Sequence, residues 1–395
     1  MKVATTGSQR KSNSEGIMAY LDHNATAPLR DASRLAAERA FALGGNASSV
    51  HAAGRAARAL IEDARGQVAA LASVEPPEVV FTSGATEANM LALWGAVQGA
   101  ADAGDRITRL FVSAIEHPAV LANAAAVAER FAGLRLETIP VTRSGIADME
   151  ALKTGLREGK GRALVALMAA NNETGVIQPV AEAAALAAEA GALLMVDAVQ
   201  AVGRIPVPRA DYLTLSAHKI GGLQGCGALI LKPGVPFTSP MAGGGQEKGL
   251  RAGTENVPGI AGFGAAAAIA ATEVADPSLR DRFEALLREI APDAVIFGAD
   301  APRLANTSYF ALPGIAAETA LMALDLDGVM LSSGAACSSG KVKRSHVLAA
   351  MGVSDDVAGC TLRASFGWNS TEADVEAALK SITKLVARVR SRAAA

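Results

Sequence analysis

Ala192-Leu-Leu-Met-Val-Asp197 and Asp211-Tyr-Leu-Thr-Leu-Ser-Ala-His-Lys219 are two short apolar runs whose ends place a carboxylate and an amine 22 residues apart. A short continuous apolar run reads as a buried strand, and charged groups just beyond two strand ends can face one crevice of an α/β sheet. A lysine that holds an aldehyde as a Schiff base and a carboxylate that keeps a pyridine nitrogen protonated are the two groups pyridoxal phosphate chemistry needs. Lys219 and Asp197 fit those roles. A surface Asp and a surface Lys in loops would show the same spacing without the chemistry.

Working outward, the chain alternates strand, turn and helix. Val79-Val-Phe81 precedes Thr82-Ser-Gly-Ala-Thr86 and a helical stretch to about Ala100. Leu110-Phe-Val-Ser113 precedes Pro118 and a second helix, and Ala163-Leu-Val-Ala-Leu-Met168 leads into Asn171-Asn172 and a third. Such alternation predicts an α/β fold with a largely parallel sheet between helices. The character changes after the Gly-rich stretch that begins at Gly243, and a domain boundary is expected near Pro258. Beyond it, Leu279 to Ile290, Ser308 to Leu312, Leu362 to Phe366 and a last helix from Thr371 suggest a smaller α+β domain. The expected division is a disordered extension at 1–17, with Met18 as the original start, and a segment 18–30 that joins the small domain. A large cofactor-binding domain at 31–258 and a small domain at 259–395 complete it.

Composition narrows the function. The chain has 395 residues, is 50% hydrophobic and carries a formal net charge of −2 without a basic block. Nucleic acid and anionic membrane are therefore not expected as partners, and a small-molecule substrate is. The three cysteines, Cys226, Cys337 and Cys360, form no Cys-x-x-Cys pair, so neither a disulfide framework nor a structural zinc site is expected, and a reducing cytoplasm suits them. The longest apolar stretches are too short to span a bilayer, and the polar 1–16 segment lacks the apolar core of a signal peptide.

Other motifs fall at strand ends. Ser83-Gly-Ala-Thr-Glu87 can offer free N–H groups to a phosphate at a helix start, or Ser83 or Thr86 can simply cap that helix. His117, in Glu116-His-Pro118, can stack on a ring and move a proton, or be a structural hydrogen-bonder. The amides of Asn171-Asn172 can reach a cofactor oxygen or substrate carboxylate, or serve a turn. Gln200 can donate to a phenolate oxygen or face solvent. The stretch Gly243 to Asn256 is either a flexible linker or a loop approaching a phosphate; it is no P-loop, and no G-x-G-x-x-G follows the first strand. Cys337 lies in Ser332-Ser-Gly-Ala-Ala-Cys-Ser-Ser-Gly340, where small residues would allow a thiol to move, or merely house an inert one. Arg363 is a carboxylate fork or an ion-pair partner.

Taken in order, LDHNATAP, SGATEAN, EHPAV, NNETGVIQP, VDAVQ, SAHK, GGGQEKGLRAGTEN, SSGAACSSG and LRASFG resemble the cysteine desulfurase family of the class V aminotransferase group, from about Met18 onward. The resemblance implies a fold type I pyridoxal phosphate enzyme with a mostly parallel seven-stranded sheet. It implies that Lys219 carries the cofactor, Asp197 partners the pyridine nitrogen, Gln200 meets the phenolate oxygen, and His117 stacks on the ring. Ala85, Thr86, Ser216 and His218 would hold the phosphate, with Thr254 reaching across from a second subunit of a homodimer. Asn172, a cofactor and substrate contact, and Arg363 would bind the substrate carboxylate. Cys337 would take the sulfur of L-cysteine as a persulfide, leaving L-alanine, and pass it to an acceptor or scaffold protein for iron–sulfur cluster or thio-cofactor assembly. No metal site is implied, although Cys337 could transiently contact an iron–sulfur cluster. The loop resembles the subgroup in which it is long and mobile. Many relatives carry an acidic residue and a proline before Ser-His, where this chain reads Lys341-Val-Lys-Arg344-Ser-His346. A related lyase or transaminase using another substrate such as selenocysteine, a non-catalytic sulfur carrier or scaffold, and a Cys337–His117 protease are the alternatives; the last leaves Lys219 and Asp197 unexplained.

Overall fold

The computed structural model describes residues 18–206, 209–333 and 344–393. The expectations for residues 1–17 and for Cys337 and its loop fall outside the described residues.

The chain opens with β1 (Ala19–Tyr20), α1 (Asp31–Leu43) and α2 (Ala52–Ala72). It continues through β2 (Val79–Thr82), α3 (Ala85–Asp102), β3 (Ile107–Ser113), α4 (Pro118–Arg130) and β4 (Arg135–Ile139). Next come α5 (Met149–Glu158), β5 (Arg162–Ala166), α6 (Val180–Glu189), β6 (Leu193–Asp197), β7 (Tyr212–Ser216) and β8 (Gly227–Leu231). These strands form one seven-stranded sheet in the order β2-β8-β7-β6-β5-β3-β4, with β8 antiparallel to both neighbours and the remaining pairs parallel. The mostly parallel seven-stranded sheet is thus as the resemblance implied.

Alternation along these strands sends side chains to two helical layers, because successive Cβ atoms point to opposite faces. Phe81, Phe111, Val165, Val196 and Leu213 pack in one core with Ile61 of α2 and Leu152 of α5. Val80, Leu110, Leu164, Met195 and Tyr212 pack in the other with Leu93 of α3 and Val120 of α4. Burial on both faces is why β2, β6 and β7 read as continuous apolar runs rather than as alternating ones.

Pro258 lies in the first turn of α7 (Val257–Ala270), which packs on α1 and α2 and shares their core through Phe263. There follow α8 (Ser278–Ile290), β9 (Val295–Ile296), β10 (Thr307–Ala311), α9 (Ala317–Leu326) and β11 (Val329–Met330). The remaining elements are α10 (His346–Ala350), α11 (Asp355–Ala358), β12 (Thr361–Ser365) and α12 (Glu372–Ala393). The antiparallel sheet β12-β10-β9 is covered by α8 and α12, whose Phe283, Leu287, Val375, Leu379 and Ile382 repeat at helical spacing and bury against Phe310 and Leu362. Each such side chain contributes about 1.5–3 kcal/mol on burial. The chain start is woven into this part: β1 pairs in parallel with β11, and Asp22 bridges to Ser365. Among the described residues no helix is long and apolar enough to cross a membrane, and no His, Cys, Asp and Glu group could hold a metal ion.

Candidate active site

The carboxyl ends of β2, β3, β5, β6 and β7 and the start of β8 lie along one edge of the large sheet. Where that edge meets the segment after β1 and strand β12 there is a cavity of about 600 Å³. Gly227 lets α3 begin against this edge: a Cβ there would stand 2.7 Å from the backbone of Gly84.

Asp197 and Lys219, the two groups read first from the sequence, both line this cavity. The Asp197 carboxylate is fixed on two sides, accepting from Asn89 Nδ2 at 3.0 Å and from the Val199 N–H at 3.0 Å. Thr214 Oγ1 donates to Asn89 Oδ1 at 2.6 Å, which sets which way that amide faces. Lys219 Nζ donates to the carbonyls of Asn24 at 2.6 Å and Ala25 at 2.8 Å. Burial, and then the nearby Arg363 and Arg204 charges, lower its pKa to about 7, against the smaller opposing pull of Asp22 and Asp197.

Ala85, Thr86, Ser216 and His218 also line the cavity. Gly84 holds the N-cap of α3 with no side-chain cap bond, so neither Ser83 nor Thr86 caps it. The first-turn N–H groups of Ala85 and Thr86 are of the kind helix geometry leaves free, at the positive end of the helix dipole. His218 Nδ1 lies 3.1 Å from Thr26 Oγ1, and burial lowers its pKa to about 4, so the ring is neutral.

His117 is a structural hydrogen-bonder that also faces the cavity. Its Nδ1 accepts from the Ala119 N–H at 3.1 Å and so caps α4, while the residue lines the cavity. The neutral ring then carries its proton on Nε2. Desolvation lowers its pKa, opposed by Asp197 and reinforced by Lys219. Its neighbour Glu116 is wholly buried; one oxygen accepts from the Met168 N–H at 2.5 Å and the other has no partner. Burial, and then Asp197, raise its pKa, which favours a neutral carboxyl group.

Asn171 and Asn172 are placed differently. Asn171 Oδ1 accepts from the N–H groups of Glu173 and Thr174, both at 2.9 Å, and makes the turn; Asn172 faces the cavity. Gln200 Nε2 donates to Asn24 O at 2.9 Å and its Oε1 accepts from Arg204 at 2.6 Å, which leaves one amide hydrogen for another acceptor. Arg363 donates to Asn172 O at 2.8 Å and pairs with Asp22 at 2.7 Å, while its buried Nε has no partner. It is an ion-pair partner and still has unspent donors at the cavity wall.

Thr254 is not brought to this cavity. It is exposed and lines a separate pocket of about 80 Å³ with Glu247 and Arg251. A further cavity of about 370 Å³, lined by His23, Arg30, Arg204 and Trp368, shares only Lys219 with the predicted site residues. Asn24, Asn89 and Arg204 hold the predicted residues yet were not singled out. Asn89 was reachable by spacing, being three residues after Thr86 and hence on the same face of α3; the other two act across the chain and leave no local sign. The donor set fits pyridoxal phosphate: an amine held near neutrality, a clamped carboxylate, free helix-start amides and a neutral imidazole around one cavity.

The class-V aminotransferase family model matches residues 19–378. An IscS-like cysteine desulfurase of Mycobacterium tuberculosis is 40% identical over 96% of this chain and 98% of its own length. A cysteine desulfurase of Cereibacter sphaeroides is 42% identical over 94% and 96%. Among solved structures, a NifS-like protein from Rickettsia africae superposes with a TM-score of 0.82 at 32% identity, covering 93% of this chain and 99% of that one. With matches of this extent, the chain belongs to the class-V aminotransferase family and, within it, to the cysteine desulfurases.

Proposed function

We propose that this chain is a pyridoxal phosphate-dependent L-cysteine desulfurase, which releases L-alanine and passes the sulfur through Cys337 to an acceptor protein. The observation that carries the reading is the gathering of Lys219, Asp197, His117, Gln200 and Arg363 around one cavity in a chain about 40% identical to cysteine desulfurases. When bound, the cofactor supplies an electron sink that weakens the bonds at the substrate's Cα and Cβ.

The chain's own residues would do the rest. Lys219 would carry the cofactor, and its amine, near neutrality, would take and return the Cα proton at physiological pH. Asp197, clamped by Asn89 and Val199, would keep the pyridine nitrogen protonated. Ala85, Thr86, Ser216 and His218 would hold the phosphate, and Gln200 the phenolate oxygen through its unspent amide hydrogen. His117 would stack on the ring and offer its Nε2 proton. Arg363 and Asn172 would orient the substrate carboxylate, with Asp22 keeping the guanidinium in place until substrate arrives. Cys337, as a thiolate, would take the sulfur as a persulfide. The exposed Thr254 would complete the phosphate site of a second copy, making the enzyme a homodimer. The cysteine usage supports a cytoplasmic setting, and the likeness to the cysteine desulfurases supports a role in iron–sulfur cluster or thio-cofactor assembly.

The test is formation of alanine and sulfide from L-cysteine and a thiol reductant. The full chain with bound cofactor should yield both, and Cys337→Ser should abolish sulfide release while cofactor absorbance stays unchanged. Sulfide release undiminished in Cys337→Ser would remove the persulfide route; neither product from the loaded wild type would remove the desulfurase reading.

A further inference from the structure

Glu87 stands in the first turn of α3 beside the two free amides, where a carboxylate would repel a phosphate. Its charge is not left bare. Arg251 Nε donates to Glu87 Oε1 at 2.6 Å and its Nη2 to Oε2 at 3.1 Å, a two-point contact with the side chains 20% and 11% exposed. Glu87 Oε2 also accepts from the Ser83 N–H at 2.9 Å and from the Ser83 hydroxyl. These bonds consume the donors of Ser83 and fix the Ser83-Gly84 turn; the Gly84 N–H lies 3.4 Å from Thr82 Oγ1, so Ala85 and Thr86 are the next donors along the chain.

Arg251 is itself anchored. It lies in the Gly243 to Asn256 stretch, where Glu247 pairs with Arg65 at 2.7 Å and accepts from the Phe81 N–H at 3.0 Å on β2. The loop is thus tied both to the strand that leads into the turn and to the helix that leaves it. Burial pushes the Glu87 pKa up, but the bonds from Arg251 and Ser83 more than offset this, and the net shift is downward.

We infer that Arg251 and Glu87 are a paired positioning device for a phosphate ester: Glu87 shapes the turn that presents the Ala85 and Thr86 amides, and Arg251 cancels the charge Glu87 would otherwise turn on the phosphate. This rests on the cavity being the pyridoxal phosphate site. It makes a prediction that a general packing role does not. Arg251→Gln should be worse than the Arg251→Gln/Glu87→Gln pair, because the single change leaves an uncompensated carboxylate beside the anion.

The experiment titrates the full chain, freed of cofactor, with pyridoxal phosphate and separately with pyridoxal, which lacks the phosphate. Wild type should prefer the phosphate ester. Arg251→Gln should lose roughly tenfold or more in affinity for it while pyridoxal binding changes by less than about twofold, and the double variant should recover part of the loss. Arg251→Lys, which keeps the charge without the fork, should lose less and serves if Arg251→Gln does not fold. Equal losses for both ligands, or no recovery in the double variant, would overturn the inference. A wild type with no preference for the phosphate ester would instead overturn the reading of the site.

Discussion

Lys219 shows how one residue's chemistry is set by neighbours that are distant in sequence. Its amine touches the carbonyls of Asn24 and Ala25, and the cations that weigh on it most are Arg363 and Arg204. A pKa of about 7 means that roughly half the amine is free at neutral pH, whereas an ordinary lysine would be almost wholly protonated there. In the cofactor-free chain, modification of Lys219 by an amine-directed reagent should therefore rise through a midpoint near 7. A nearby cation penalises the ammonium form, so removing one lets that form persist to higher pH. Arg204→Gln should move the midpoint upward and slow the reaction at neutral pH; peptide mapping of labelled Lys219 across pH is the check, and an unmoved midpoint would count against the electrostatic account. Lys219 and Asp197 were legible because their types and strand-end positions carry chemistry. Arg204 was not, because a single arginine after Gln200 says nothing of the carbonyl and amide oxygens it meets.

At the scale of elements, strands were readable where both faces are buried. β2, β3, β5, β6 and β7 announce themselves as apolar runs before turns, and α8 and α12 by their helical repeat. β4, by contrast, is an edge strand with most residues exposed or half-buried, so its Arg135-Leu-Glu-Thr-Ile139 lacks that signal. The Gly-rich stretch before α7 was ambiguous between linker and loop, and the structure explains why composition could not decide. Its glycines suggest looseness, yet a buried ion pair, Arg65–Glu247, with side chains 4% and 3% exposed, pins it to α2, and the Phe81 N–H on β2 donates to the same carboxylate. Glu247 and Lys248 are held at φ of 46° and 58°, a region non-glycine residues seldom occupy, so tertiary contacts override local preference here. Removing Glu247 leaves the buried Arg65 with only the half-exposed Glu62 as an ion-pair partner and strips the Phe81 N–H of its acceptor. Glu247→Ala should thus cost about 3–5 kcal/mol of stability, seen as a lower denaturant midpoint, whereas disrupting the exposed Arg157–Glu189 pair should cost less than about 1 kcal/mol.

The whole molecule is joined at Asn24, which is 1% exposed. Its N–H donates to Ser365 Oγ at 2.9 Å and its Nδ2 to Thr307 Oγ1 at 2.9 Å, both in the antiparallel sheet. Its carbonyl receives Gln200 at 2.9 Å and Lys219 at 2.6 Å from the edge of the large sheet, and its Oδ1 receives Arg204 at 3.2 Å and Asn306 at 3.1 Å. The fold class was readable from alternating runs, but this junction was not: the bond to Ser365 spans 341 residues, and no local pattern encodes it. Asn24→Ala keeps the backbone bonds and removes the side-chain ones to Thr307, Asn172, Arg204 and Asn306, although Arg204 keeps Gln200 and Asn306 keeps the Phe366 carbonyl. At about 1 kcal/mol per lost bond, with more for the charged donor, the variant should lose about 2–4 kcal/mol of stability. It should also weaken cofactor binding, because the Nδ2 bond to Thr307 steadies the backbone whose carbonyl holds Lys219 and Gln200. Asn24→Asp keeps the acceptor and adds a negative charge near Lys219, so it should raise that amine's pKa. Thermal unfolding followed with the labelling profile separates the two effects: a variant that loses stability without any change at Lys219 would show that the junction and the site are independent.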